Sequence, residues 1–481
     1  MVQIMSPRPP EGVMRPPELS SVAALTAALV ETPSPNPGGD ERAVAALVAE
    51  ALAERGLPRP RTLASDPKRP NLVAELDFGP GGRHLCLSGH LDTKPVGDAV
   101  WTVEPLRATV DGDRMYGLGS ADMKGAVAAM IEAAAALAAD PPPCGRLTLL
   151  FTADEEDGAA YGARHLAEYE RERSGLASAD AVIIGEPGGL DADWDRLHLV
   201  SRGIARFRMI TEGDQGHSSL VERTGAVNAG VTAARLLARF AETFRLTVPT
   251  PPTPAPPPAA PAPAPAPAPA PVAAASAPAP ASAPAPASAP VAPASAPVAP
   301  ASAPAAPGLD GWHATANGGM RLYGGVGYGV VPGRAGFDAE VRLLPGMTRE
   351  TFERDLHAFL AASTEADPDL RARVEFDAPP CDWLPGTAVP ADHPVATAAR
   401  RAYATVFGTT PPDAVFPGTT DAAWLHGLAG VPTLPAVGPG LLARCHAADE
   451  WVSITAVEQA VDVYQQIARD FCAAPTGGGV A

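Results

Sequence analysis

Residues able to bind a divalent metal stand at the ends of several separate apolar runs in this chain. His90 closes the run LCLSG and Asp92 follows two positions on, where an extended backbone brings both side chains to one side. An imidazole beside a carboxylate that fixes its tautomer is how a metal-ligating histidine is usually supported. Asp122 lies in GLGSADMKG ahead of an alanine-rich stretch, a place where an aspartate ordinarily caps a helix. In TADEEDG, Glu155 and Glu156 follow another apolar run. Adjacent side chains there point apart, so one carboxylate can bind metal while the other faces a metal-bound water. Glu186 closes AVIIGE, and His446 stands in RCHAADE near the carboxyl end. Two histidines and three carboxylates in one crevice suit a pair of divalent ions about 3.5–4 Å apart that share one carboxylate. The short Asp122 side chain is the expected bridge.

Such a crevice needs a sheet whose strand ends converge. SVAALTAALVE and ERAVAALVAEALAERG have helical periodicity. NLVAELDF, HLCLSGHLD, RLTLLFTADEE and AVIIGEP are short apolar runs of the strand type, separated by an alanine-rich helix from Lys124 to about Ala139 and by the helical pattern GARHLAEYERER. Strands alternating with helices predict an α/β sheet covered on both faces, with ligands outside the carboxyl ends of its strands. From RGIARFRMITEG onward the order becomes strand, helix, strand, strand, helix, strand, which is the split βαβ arrangement of a small α+β domain. The expected organisation is an α/β domain made of residues 17–203 and 378–474, with the smaller domain, 204–377, inserted between them. Residues 1–16 and 475–481 are expected to be flexible.

Composition narrows the function classes. The 481 residues hold 36 Lys plus Arg against 54 Asp plus Glu, a formal charge of −18, so a phosphate-binding surface and a nucleic-acid partner are not expected. Neither a secretory signal nor a membrane-spanning run is read from the sequence, and a cytoplasmic location is expected. Cys86, Cys144, Cys381, Cys445 and Cys472 are odd in number, scattered and free of CxxC spacing, as expected for reduced thiols. Residues 249–307 contain 23 prolines in 59 positions and no charge, which predicts a disordered, partly polyproline insertion inside the smaller domain. Loop closure grows only with the logarithm of length, so such an insertion is tolerable.

These motifs, taken in order, resemble a known family. LVETPSPNPGGDE, SGHLDTKPVG, GLGSADMKG, FTADEEDG, IGEP, SRG, GHSS, VVPGRAGFDAEVR, PGTTDAAWL and CHAADEWV are similar to segments of the zinc amidohydrolases and metallopeptidases that include succinyl-diaminopimelate desuccinylase, acetylornithine deacetylase, aminoacylase and carboxypeptidase G. The resemblance implies a zinc-peptidase-like α/β catalytic domain with an inserted α+β lid that also dimerises. It implies two divalent metals, Zn(2+) first and Co(2+) or Mn(2+) as alternatives. His90 and Glu186 would then bind one ion and Glu156 and His446 the other, with Asp122 between them, Asp92 orienting His90 and Glu155 as general base. His217 of GHSS would reach the scissile carbonyl, commonly from the partner subunit of a homodimer. Arg342, Arg202 and Thr419 would contact substrate. The activity implied is cleavage of N-acyl amino acids, with dipeptides or other small peptides as the alternative substrates. Two departures stand out: Gly329 lies where the family usually has asparagine, and Pro417 precedes Gly418 where a double glycine is common.

Overall fold

The computed structural model describes residues 19–247, 312–379 and 382–474. The proline-rich insertion, the two terminal segments expected to be flexible and Cys381 lie outside the described residues. The described residues belong to one compact unit.

The larger sheet has six strands in the order Arg61–Leu63, Asn71–Gly79, Gly145–Thr152, His84–His90, Ala181–Ile184 and Thr433–Leu434. The last four run parallel to one another, and the first two are antiparallel to their neighbours. Every residue of His84–His90 and of Ala181–Ile184 is buried. Successive side chains point to opposite faces, so both faces of these strands are covered. Helices Gly125–Ala139 and Ile454–Cys472 pack on each other and on the central strands, and Ser21–Val30 packs on the first of them. The resulting core includes Leu85, Leu87, Leu149, Phe151, Val127, Ile131, Val463 and Ile467.

Two helical expectations change at their ends. The pattern GARHLAEYERER forms a helix only over Ala163–Tyr169. Beyond it the charged ERER stretch has no apolar side chain to bury, and Arg171 reaches instead to the Ala429 carbonyl at 2.7 Å. The alanine-rich helix starts at Gly125 after a wide turn, Ser120–Lys124, in which Asp122 and Met123 are non-helical and joined by a cis peptide bond. Asp122 is therefore not a helix cap.

The smaller sheet contains Thr315–Gly324, Arg334–Leu343, Gly203–Glu212 and Arg371–Phe376 in that spatial order, all antiparallel. Helices Ala229–Thr243 and Arg349–Ala366 pack against it. Alternation along Gly203–Glu212 and Arg334–Leu343 separates its two faces. Ala205, Phe207 and Met209 join Phe337, Ala339, Val341, Phe240 and Phe352 in a second core. The opposite face carries Arg206, Arg208, Asp338, Glu340 and Arg342. Among the described residues, no helix is long and apolar enough to cross a membrane.

Candidate metal centre

Strands ending at His90, Thr152 and Ile184 are parallel neighbours, so the residues that follow them emerge together at one edge of the sheet. His90 is the last residue of its strand. Asp154, in left-handed backbone, turns the chain into the short helical turn Glu155–Asp157, and Glu186 follows two residues after Ile184. Asp122 comes from the turn before helix Gly125–Ala139, and His446, also left-handed, from the loop before Trp451–Ser453.

Asp122 stands in the middle of this group. Its Oδ1 lies 3.0 Å from His90 Nε2, and its Oδ2 lies 3.1 Å from His446 Nε2. His90 Nε2 is also 3.6 Å from Glu186 Oε1, and His446 Nε2 is 3.3 Å from Glu156 Oε1. Two ligand sets result, His90–Asp122–Glu186 and Asp122–Glu156–His446, with the donor atoms of each within 4.8 Å of one another. Glu156 Oε1 is buried and, among the described residues, has His446 as its ion-pair partner without an aligned hydrogen bond, while Oε2 meets the Lys94 ammonium at 2.9 Å. Nitrogen and carboxylate donors in threes fit a hard or borderline divalent cation such as Zn(2+).

The electrostatics show how tightly these charges are gathered. Burial opposes ionisation of Asp122, yet hydrogen bonds from His446 and His90 hold its carboxyl well below the usual range. Burial likewise disfavours the His446 cation, but Asp122 and Glu156 raise it to about 10. Burial pushes Glu155 and Glu186 well above the ordinary carboxylate value, reinforced by neighbouring acids, and lifts Asp421 to about 7.

Asp92 is arranged differently from the expectation that its carboxylate faces the imidazole. His90 Nδ1 is bonded to the main-chain carbonyl of Asp92 at 3.0 Å, with the nearest carboxylate oxygen 3.6 Å away. The carboxylate instead accepts the Asn36 side-chain amide at 2.9 Å and the backbone N–H groups of Glu155 and Glu156 at 3.2 and 3.0 Å. A charged acceptor under two consecutive amides fixes the turn that carries both glutamates. Glu450 does the same for Asp122: its Oε1 accepts the N–H groups of Ala121 and Asp122 at 3.0 and 3.1 Å. The sequence reading assigned no role to Asn36 or Glu450. Both lie inside motifs quoted above, but only the backbone conformation of the turns shows which amides need an acceptor.

The two sets open into a cavity of about 330 Å³. Glu155, Asp421, Arg342 and Thr419 line it, as do Lys94 and Arg206, which the sequence reading did not single out. Arg342 lies 3.5 Å from the Thr419 hydroxyl and pairs with Glu340 at 3.2 Å. Arg202 is not brought into the cavity wall. Its guanidinium bonds Thr315 Oγ1 at 2.5 Å and sits 5.8 Å from the centre of the Trp312 ring. His217 is exposed on a small ladder with Val330 and does not line the cavity of its own chain. Nearby Gly329 has φ +83°, a left-handed conformation open to glycine and, less readily, to asparagine.

The sequence pattern of Peptidase family M20/M25/M40 matches residues 86–470, most of the chain. The chain belongs to that family. This M20 family chain is 37% identical over 178 residues to succinyl-diaminopimelate desuccinylase of Gluconobacter oxydans, covering 37% of this chain and 44% of that one. It spans about half the length of the curated relatives it matches. Among solved structures, an M20 family metallo-carboxypeptidase of Sulfolobus solfataricus superposes with a TM-score of 0.66 at 16% identity, over 94% of this chain and 99% of that one. A dinuclear metal binding peptidase from the M20 family, of Bacillus subtilis, superposes with a TM-score of 0.57 at 14% identity, over 93% and 96%. At these identities, the structural likeness speaks for the shared fold.

Proposed function

We propose that this protein is a metal-dependent hydrolase that cleaves the amide bond of N-acyl amino acids. The observation that carries the proposal is Asp122, whose two carboxylate oxygens face separate histidines and so serve two ligand sets at once. His90 and Glu186 would hold one divalent ion, Glu156 and His446 the other, with Asp122 shared. The buried Glu156 oxygen, 3.3 Å from His446 Nε2, and the mixed nitrogen and oxygen donors fit that use. The dinuclear peptidase of the same family supports two ions, and zinc is the metal proposed, with cobalt and manganese as substitutes. When bound, the pair supplies Lewis-acid polarisation of the carbonyl and an acidified water.

Glu155 lines the cavity and belongs to neither ligand set, so its carboxylate is free to take a proton from the attacking water and return it to the leaving amine. Arg342, supported by Thr419, presents a guanidinium suited to the substrate carboxylate. Arg202, hydrogen-bonded through its carbonyl to the Thr419 hydroxyl at 2.8 Å, positions that pair from behind. The likeness to a desuccinylase supports an acyl amino acid as substrate. The likeness to a metallo-carboxypeptidase over nearly the whole chain supports a small peptide as the second reading.

A homodimer through the smaller domain completes the proposal, with His217 serving the partner's cavity. Strand Thr315–Gly324 is an edge strand, and Met320 and Leu322 on it are 62% and 67% exposed. An apolar sheet edge of this kind suits pairing with a second copy. The test is a panel of formyl, acetyl, succinyl and carbamoyl amino acids against dipeptides, assayed after chelation and again after adding metal. Turnover of acyl amino acids that metal restores is expected. Turnover that chelation does not affect would end the metal-dependent reading.

A further inference from the structure

We infer that Arg206 is a specificity-determining residue and that the substrate carries a second carboxylate, which Arg206 receives. This inference rests on the hydrolase reading above for the rest of the site. Ala205 and Phe207 are buried in the second core, so Arg206 between them points to the opposite face, where it lines the cavity onto which the two ligand sets open. Ile204 is the register partner of Arg342, which places Arg206 diagonally from Arg342 at roughly 7–8 Å between their positions on the sheet.

The three Lys and Arg side chains of the cavity wall differ in what already neutralises them. Lys94 is paired with Glu156 at 2.9 Å and Arg342 with Glu340 at 3.2 Å. Glu340 is the register partner of Arg206, yet it gives its carboxylate to Arg342. Asp382, whose carbonyl accepts the Arg206 N–H at 3.0 Å, gives its own carboxylate to Arg349 at 2.7 Å. Among the described residues the Arg206 guanidinium has no hydrogen-bond or ion-pair partner. A half-buried planar fork of five donors, turned into a substrate cavity and left without an acid, matches a carboxylate arriving with the ligand. Under the proposed function Arg342 shares its guanidinium between Glu340 and one substrate carboxylate, so the carboxylate that Arg206 receives belongs either to a dicarboxylic acyl group or to an acidic amino acid side chain.

The test uses metal-loaded full-length enzyme and two matched pairs of substrates. N-succinyl-alanine against its terminal amide probes the acyl side, and N-acetyl-glutamate against N-acetyl-glutamine probes the amine side. In the wild type, one acid is expected to exceed its neutral isostere in kcat/KM by about ten- to a hundredfold, mainly through KM. Arg206→Gln should bring that ratio to about one while N-acetyl-alanine turnover stays within about twofold, and Arg206→Lys should keep part of the preference. The same ratios are read as equilibrium binding constants, so they decide the matter even if no amide is cleaved. A charge preference in binding without hydrolysis would uphold Arg206 and sink the hydrolase reading. No preference in either wild-type pair, or a preference that survives Arg206→Gln, would overturn the inference. So would equal losses for acidic and neutral substrates in Arg206→Gln.

Discussion

Asp92→Asn separates two ways in which this buried carboxylate could serve the centre. Its Oδ2 accepts two donors, Asn36 Nδ2 at 2.9 Å and the Glu156 amide at 3.0 Å, and its Oδ1 accepts only the Glu155 amide at 3.2 Å. An asparagine has one acceptor oxygen, and its lowest-cost placement is where two donors converge. The new NH2 group then faces the Glu155 N–H, which loses its acceptor. One buried donor left unsatisfied costs about 1–3 kcal/mol of folding stability. The local consequence is larger, because Glu155 moves while Glu156 keeps its anchor. A displacement of about 1 Å at a reacting group can cost about a hundredfold in rate. The hydrogen bond to His90 is untouched, since it uses the Asp92 main-chain carbonyl, and only the longer 3.6 Å approach of Oδ1 to the imidazole changes. The expected result is a drop in kcat of about a hundredfold at saturating metal, with zinc affinity, measured by chelator competition, changed less than about tenfold. Urea unfolding should report the stability loss. If Asp92 acted instead through the imidazole, metal affinity would fall about 10- to 100-fold and excess zinc would restore kcat. That outcome would refute the turn-anchoring argument.

Glu155→Gln should lose several orders of magnitude in kcat with metal content near normal, whereas Glu156→Gln should weaken one metal, and the reverse pattern would mean the two glutamates exchange roles. Metal analysis of the loaded protein should approach two equivalents per chain, and Asp122→Asn should weaken both, because Asp122 belongs to both ligand sets; loss of only one equivalent would remove its shared role. His217→Ala and Glu155→Gln should each be nearly inactive alone, while co-expressed differently tagged chains recover about a quarter of wild-type activity, since random pairing makes half the dimers mixed with one complete site of two. Purified mixed dimers no more active than the parents would mean that His217 does not act across the interface.

What could be read from sequence, and what could not, follows from how far each feature depends on neighbours in the chain. His90, Glu155, Glu156 and Glu186 follow directly from apolar strands, and parallel strands carry their carboxyl ends to one edge, so periodicity alone brings these residues near one another. The order of strands is a different matter. Asn71–Gly79 and His84–His90 are consecutive in sequence, yet Gly145–Thr152 lies between them, antiparallel to one and parallel to the other. Alternation of apolar residues encodes a buried face and says nothing about which strand is adjacent. The supports of the centre were hidden for a related reason. Asn36 matters because it holds the Asp92 carboxylate that accepts the Glu155 and Glu156 amides, and Glu450 because it accepts those of Ala121 and Asp122; those turns exist only once the sheet has formed. Arg202 and Arg206 make the point within one segment. They are four residues apart in SRGIARFR, and the resemblance drew attention to Arg202. In the fold, Arg202 spends its guanidinium on Thr315 and Trp312, while Arg206 reaches the cavity with its charge unmatched among the described residues. Motif matching finds the residues that a reaction shares across relatives. The unpaired charge on the wall is where this chain's own substrate preference is written.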